Sequence, residues 1–195
     1  MHDIEPFYNW RHLYKAEYDE RSPFYGRHYN AFEYTNKIYN YLIHPQWDSI
    51  DSDTLYIKLL FVDYCQHFAI IELFGEWNDA INNDIMFLKR NVIDELIYQG
   101  IKYYILIGEN VLNFHSSDDS YYEEWYEDLE NEGWIMLINF RQHVLEEMKK
   151  GRLNHYLIWF DELNEVFWRK TTPYVLFNAL NQLLRNNHYL NQDKI

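Results

Sequence analysis

TLYIKLLFVDYCQHFAIIELFG, residues 54–75, is the stretch on which the reading of the fold turns. Its two halves, TLYIKLLFVDY (54–64) and HFAIIELFG (67–75), are rich in residues that favour a pleated, packed surface, and so short a connection between two strands predicts an antiparallel hairpin. Downstream the period changes. Ile81, Ile85, Leu88, Val92 and Leu96 recur three and four residues apart and predict a helix over about 81–99, with Asn78 or Asp79 to cap its start and Gly100 to close it. KYYILI (102–107) reads as a buried strand. A second helix is expected over about 121–132, where Ser120 and Glu123 have the spacing of a capping box. WIMLINF (134–140) is a strand, and RQHVLEEMKK (141–150) is a helix ending in lysines before Gly151. HYLIWF (155–160) reads as a further strand, and Thr172 with Pro173 opens a last helix striped by Leu176, Leu180, Leu183 and Leu184.

Upstream, NWRHLYKAEY (9–18) suggests a short helix and YTNKIYNYLI (34–43) a strand that Pro45 ends. A hairpin followed by repeated helix–strand units implies parallel pairing beside an antiparallel pair. The expected fold is therefore α/β: a mixed sheet with an N-terminal antiparallel hairpin and successive βα crossover units, plus an N-terminal strand extension and a C-terminal helix. Three sections are expected within one compact unit: an aromatic extension over 1–53, the α/β domain over 54–160 and a helical extension over 161–195.

Composition narrows the function classes. The 195 residues are 48% hydrophobic, enough for a substantial core, and carry 19 Tyr and 7 Trp. A formal net charge of −14 opposes a phosphate backbone, so no nucleic-acid partner is expected. No apolar run approaches a membrane span, and MHDIEPFYNWRH lacks the pattern of a secretory signal, so a cytoplasmic location is expected. The single cysteine, Cys65, excludes an intramolecular disulfide and reads as a small buried hydrophobe beside a strand. The chain has no nucleophile elbow, dinucleotide fingerprint or Walker loop, and no cofactor or catalytic residue is assigned.

Three segments resemble the STAS domain, the fold of bacterial anti-sigma factor antagonists. IIELFGEWNDA (70–80) is similar to that family's strand and acidic turn into the first crossover helix; ILIGENVLNFHSS (105–117) to its strand, aliphatic-aromatic turn and serine loop; GWIMLINFRQHVLEEMKKGRLNHYL (133–157) to its strand, short helix and step to the last strand. The resemblance covers roughly 54–160 and implies a non-catalytic regulatory or protein-interaction module, with Ser116 or Ser117 at the phosphoacceptor position. Where the family has Asp before the serines and Gly-Leu after them, this chain has His115 and Asp118-Asp119.

The residues add their own candidates. Tyr121, Tyr122, Trp125 and Tyr126 lie among Glu123, Glu127 and further acids in 115–132, a composition that suits docking to a protein with a basic surface; the plain alternative is a solvated helix face. Glu76, Trp77, Asn78, Glu109 and Asn110 form an alternative small-molecule pocket or enzymatic site at the expected strand ends. A metal site from His115, Asp118, Asp119 and Glu109 lacks diagnostic spacing, and none is assigned. A third reading is self-assembly through the Tyr-rich residues 24–43.

Overall fold

Side chains alternate across the central sheet and build a separate core on each face. The computed structural model describes residues 2–30, 32, 34, 37–130 and 132–192. Near the N-terminus, β1 (His2–Ile4), β2 (Lys37–Ile38) and β3 (Tyr41–Ile43) form a small sheet of order β1-β3-β2. The main sheet has the order β4-β5-β6-β7-β8, with β4 at Asp48–Ser49, β5 at Leu55–Asp63, β6 at Phe68–Asn78, β7 at Tyr103–His115 and β8 at Trp134–Ile138. β5 and β6 are the antiparallel hairpin; β6–β7 and β7–β8 are parallel. The sheet is mixed and the fold α/β, as the hairpin and the helix–strand repeats require.

One face is closed by the crossover helices. α1 (Asp79–Asn82), α2 (Asp84–Leu88), a π-helical turn (Lys89–Ile93) and α3 (Asp94–Tyr98) together fill the predicted 81–99 helix. Asn78 caps its start by accepting from the Ile81 N–H, and Gly100 follows at φ 88°. Leu88, Val92, Ile93 and Leu96 face Ile71, Leu106 and Ile135 in the core, together with Trp125 of α4 (Ser120–Asp128) and Val144 and Met148 of α5 (Gln142–Lys150). Ile81 does not join the stripe and is 82% exposed, because the helix breaks at Asn83 (φ 54°). The other face is covered by Trp10 and by Leu163, Trp168, Leu176, Phe177 and Leu180, the last three from α6 (Pro173–Gln192).

Four expectations are corrected. HYLIWF is no strand: Ile158 alone bridges Met136, exchanging bonds with Ile135 and Leu137, before the chain turns to bring Leu163 into the core. Residues 34–43 are not one strand, since Tyr39 adopts φ 50° and reverses the chain between β2 and β3; residues 35 and 36 lie outside the described residues. NWRHLYKAEY forms turns and one short 3₁₀ turn, Ala16–Tyr18. Cys65 is exposed, because it sits in the hairpin connection rather than on the pleated surface.

β6 and β7 also run beyond their expected ends. Gly75 makes the first extension possible: it adopts φ 118°, and a Cβ there would lie 2.1 Å from the Thr54 carbonyl oxygen. In β7, one extra residue separates the pairs Glu72–Ile107 and Phe74–Asn110. This bulge breaks the alternation, so that Ile105 and Ile107 face one core and Val111 the other.

Candidate functional site

The acidic helix α4 sorts its residues by period. Tyr122, Trp125 and Leu129 are buried, which corrects the expectation that Tyr122 and Trp125 belong to a docking face. Tyr122 donates to Asp79 Oδ2 at 2.6 Å, and Trp125 packs edge-on against Tyr104. Burial, with Asp84 nearby, raises the Asp79 carboxyl to about 6 despite donors from Tyr122, Ile85 and Trp77. Tyr121 is half-buried and Tyr126, Glu123 and Glu127 are exposed.

The acids divide into two groups. Toward the first crossover helix, Glu124 and Asp128 meet Lys89 at 3.4 and 2.8 Å, and Asp94 meets the same ammonium. Arg90 adds a two-pronged pair to Glu124 at 2.5 and 2.7 Å. Burial opposes the charge on Lys89, but its bonds to Asp128 and Asp94 outweigh it and hold the ammonium above its ordinary value. On the other side, Glu123 and Glu127 have no ion pair among the described residues. Tyr126 and Tyr156 stand there with ring centroids 6.1 Å apart, and Tyr156 donates to Asp119 at 3.2 Å.

The capping box does not form. Asp119 is the N-cap and Ser120 the first helical residue, so the Ser120 hydroxyl turns back to Asp118 and Glu123 points to solvent. Ser116 and Ser117 are exposed in the preceding loop. Gly151 gives Ser116 room, since a Cβ there would approach the Ser116 Cβ to 3.1 Å.

The residues of the alternative pocket do not converge. Trp77 is buried in the core under the helices, and Asn78 is spent as a cap. Glu76 is tied to Tyr39 at 2.7 Å and His115 at 3.0 Å, so His115 is not gathered with Asp118 and Asp119. Asn110 sits opposite Phe74 in the sheet.

Glu109 instead joins residues that sequence reasoning passed over. It lies at the β7 bulge, and its Oε1 accepts from Trp168 Nε1 at 2.6 Å and Asn139 Nδ2 at 3.0 Å. Its Oε2 accepts from Arg169 Nη2 at 2.7 Å and Nε at 3.2 Å. Burial pushes this carboxyl up, but the donors from Arg169, Asn139 and Trp168 prevail and hold it below the usual range. Arg169 also reaches Glu72 at 3.3 Å, and Glu72 accepts the Phe7 N–H at 2.8 Å. Glu72 is fully buried, and burial raises its carboxyl to about 7 against those two partners, with Glu109 adding to the rise. Beside this network Glu109, Asn139 and residues 164–170 line a cleft of about 440 Å³. It opens just past the paired ends of the parallel strands β7 and β8, where α/β sheets place ligands.

A hairpin, two helical crossovers to parallel strands and a short helix after β8 make residues 55–150 a mixed α/β arrangement. Solved structures similar to 54% of this chain include the anti-sigma factor antagonist SpoIIAA in its unphosphorylated form (21% identity, 89% of that chain, TM-score 0.42). A Thermotoga maritima protein assigned as an anti-sigma factor antagonist is similar at 18% identity over 86% of its chain, with TM-score 0.41. The phosphorylated form of the Bacillus cell fate determinant SpoIIAA is similar at 20% identity over 92%, with TM-score 0.37. No protein-family model and no curated protein matches the chain. Among the described residues no helix is long and apolar enough to cross a membrane.

Proposed function

We propose that the chain is a non-catalytic regulatory, protein-interaction module that docks a basic partner through the outer face of 115–132. The division of the α4 acids carries this reading. Glu124 and Asp128 are neutralised from within, whereas Glu123 and Glu127 stay unpaired near Tyr156, which stands beside Tyr126. An aromatic pair with unmatched charge at its rim suits a partner offering Arg or Lys, and the core anchors Tyr122 and Trp125 keep the helix rigid for it. Ser116 and Ser117 border this face, and a phosphate on either would add about −1.5 to −2 charges to it. The docked module is read as cytoplasmic.

A photo-crosslinking residue at position 126 tests the reading in the host cell. An adduct with a basic protein is expected, and it should vanish when Glu123→Lys and Glu127→Lys are combined. The same crosslinker at Tyr174, on the opposite face of the sheet, should give no such adduct. Capture that survives the double charge reversal would refute the electrostatic reading.

A further inference from the structure

Along α6, Asn178, Asn181, Gln182 and Arg185 follow one another at spacings of three and four and form one polar row beside the apolar stripe that seats the helix on the sheet. A polar row on a terminal helix is usually a solvated face. Here Gln66 of the β5–β6 connection and Tyr103 at the start of β7 stand opposite it, and the two sides bound a groove of about 660 Å³ that Phe177 also lines. Its polar groups can be reached from solvent: Gln66, Asn178, Gln182 and Arg185 are exposed, and Tyr103 and Asn181 are half-buried. They are also unspent. Asn181 gives its Nδ2 to the Phe177 carbonyl at 3.2 Å and keeps its Oδ1. The side chains of Gln66, Asn178, Gln182 and Arg185 and the Tyr103 hydroxyl have no hydrogen bond among the described residues. Arg185 is the one charged side chain among the described lining residues, and it has no ion pair among them in a chain of net charge −14. Asp63 of the same hairpin is already taken by the N–H groups of Cys65 and Gln66 and by the Tyr174 hydroxyl.

We propose that this groove binds a sugar acid, a polyhydroxylated ring carrying one carboxylate. Three carboxamides with free donors and acceptors, and a fourth with a free acceptor, suit a set of neighbouring hydroxyls, which themselves donate and accept. The Tyr103 ring is held at centroid distances of 5.3 Å from Trp134 and 5.6 Å from Phe177. It offers a fixed apolar surface ending in a hydroxyl, which suits a sugar ring with C–H groups on its face and O–H groups at its edge. The unpaired guanidinium of Arg185 takes the carboxylate in a two-pronged pair. One cation with no acid in the lining selects a single negative charge. The volume of about 660 Å³ falls within the range of roughly 300–1,000 Å³ seen for small-molecule sites. The groove lies on the face of the sheet opposite α4, so it stands or falls independently of the docking surface.

Methyl glucuronoside, methyl glucoside and acetate carry the ring with a carboxylate, the ring alone and the carboxylate alone, and titrating each into the ¹⁵N-labelled chain tests this. The glucuronoside should saturate shifts of the side-chain amides of Gln66, Asn178 and Gln182, and should bind about tenfold more tightly than either other probe. Arg185→Gln should bring the glucuronoside down to the affinity of the glucoside. Asn178→Ala combined with Gln182→Ala should weaken both sugars. Neither variant should lower the thermal midpoint, because neither removes a bond within the described fold. Absence of saturable shifts, acetate binding as tightly as the glucuronoside, equal affinity of the two sugars for the native chain, or a preference that survives Arg185→Gln would each overturn the proposal.

Discussion

Glu72→Gln should flatten the acid side of the stability curve. The Glu72 carboxyl is buried between the Phe7 N–H and Arg169, and its value rises from 4.5 to about 7. Between those limits the native state keeps a proton that the unfolded chain has released. The stabilisation is therefore complete below pH 4.5, is lost as the pH climbs to about 7, and changes no further above it. At about 1.4 kcal/mol per pH unit, the loss across this window is about 3 kcal/mol. Glutamine is neutral like the protonated acid, keeping its carbonyl acceptor but with an NH₂ of two donors in place of the O–H, and does not titrate. Urea unfolding at pH 4.5 and 7.5 should show the native chain losing about 3 kcal/mol more than the variant, at an unchanged denaturant slope. Because Asp79 and every other group titrates in both proteins, the difference isolates Glu72. Curves that stay parallel across the window would refute the assignment of a buried, proton-holding carboxyl.

Trp125→Ala should cost about 4 kcal/mol by leaving a cavity under α4, whereas Tyr126→Ala should change stability by less than about 0.5 kcal/mol and act only on docking. Chemical denaturation of both variants separates the two roles. Lys89→Met leaves Asp94, Glu124 and Asp128 facing one another without their shared ammonium, although Arg90 still serves two of them; a loss of about 2 kcal/mol is expected, shrinking in 1 M salt at about that ionic strength's short screening length. Gly75→Ala drives a methyl into the Thr54 carbonyl and should cost about 3 kcal/mol or abolish folding, whereas Gly26→Ala, at φ 73° with open space around it, should cost about 1 kcal/mol. Thermal unfolding distinguishes them.

The hairpin and the first crossover helix are legible because their signals are local. A run of packed residues, a spacing of three and four, Asn78 and Gly100 each act within a few positions. The end of β7 is not, because a bulge erases the alternation that marks a strand, and ENVLNFH then reads as a turn. HYLIWF has strand-like residues but meets β8 at one position only, and pairing is a property of the partner as much as of the letters. The core side of α4 was readable in principle: Tyr122, Trp125 and Leu129 follow the helical period, and the aromatics needed to be sorted by it before being assigned to a surface. The cleft was not readable. Asn139, Asn164 and residues 165–170 reach Glu109 only through the bulge and the strap after β8, and no spacing along the chain announces such a meeting. Glu109 alone was singled out, for a place at a strand end that turned out to be the middle of a longer strand.

The two faces of the sheet are completed at different points along the chain, and that orders events during synthesis. The helical face draws its covering residues from within 77–157, interleaved with the strands that they cover, apart from contributions such as Ala16 and Phe24. The opposite face waits for Leu163, Trp168, Leu176, Phe177 and Leu180, all downstream of the last strand. A chain growing on the ribosome thus holds Ile70, Ile105, Ile107 and Met136 only partly covered, by Trp10 among upstream residues, until Leu163, Trp168 and then α6 emerge. In that interval the half-finished protein presents an apolar surface that the finished one conceals, and a nascent chain stalled before residue 176 is the form in which it is most exposed to aggregation and to chaperone capture.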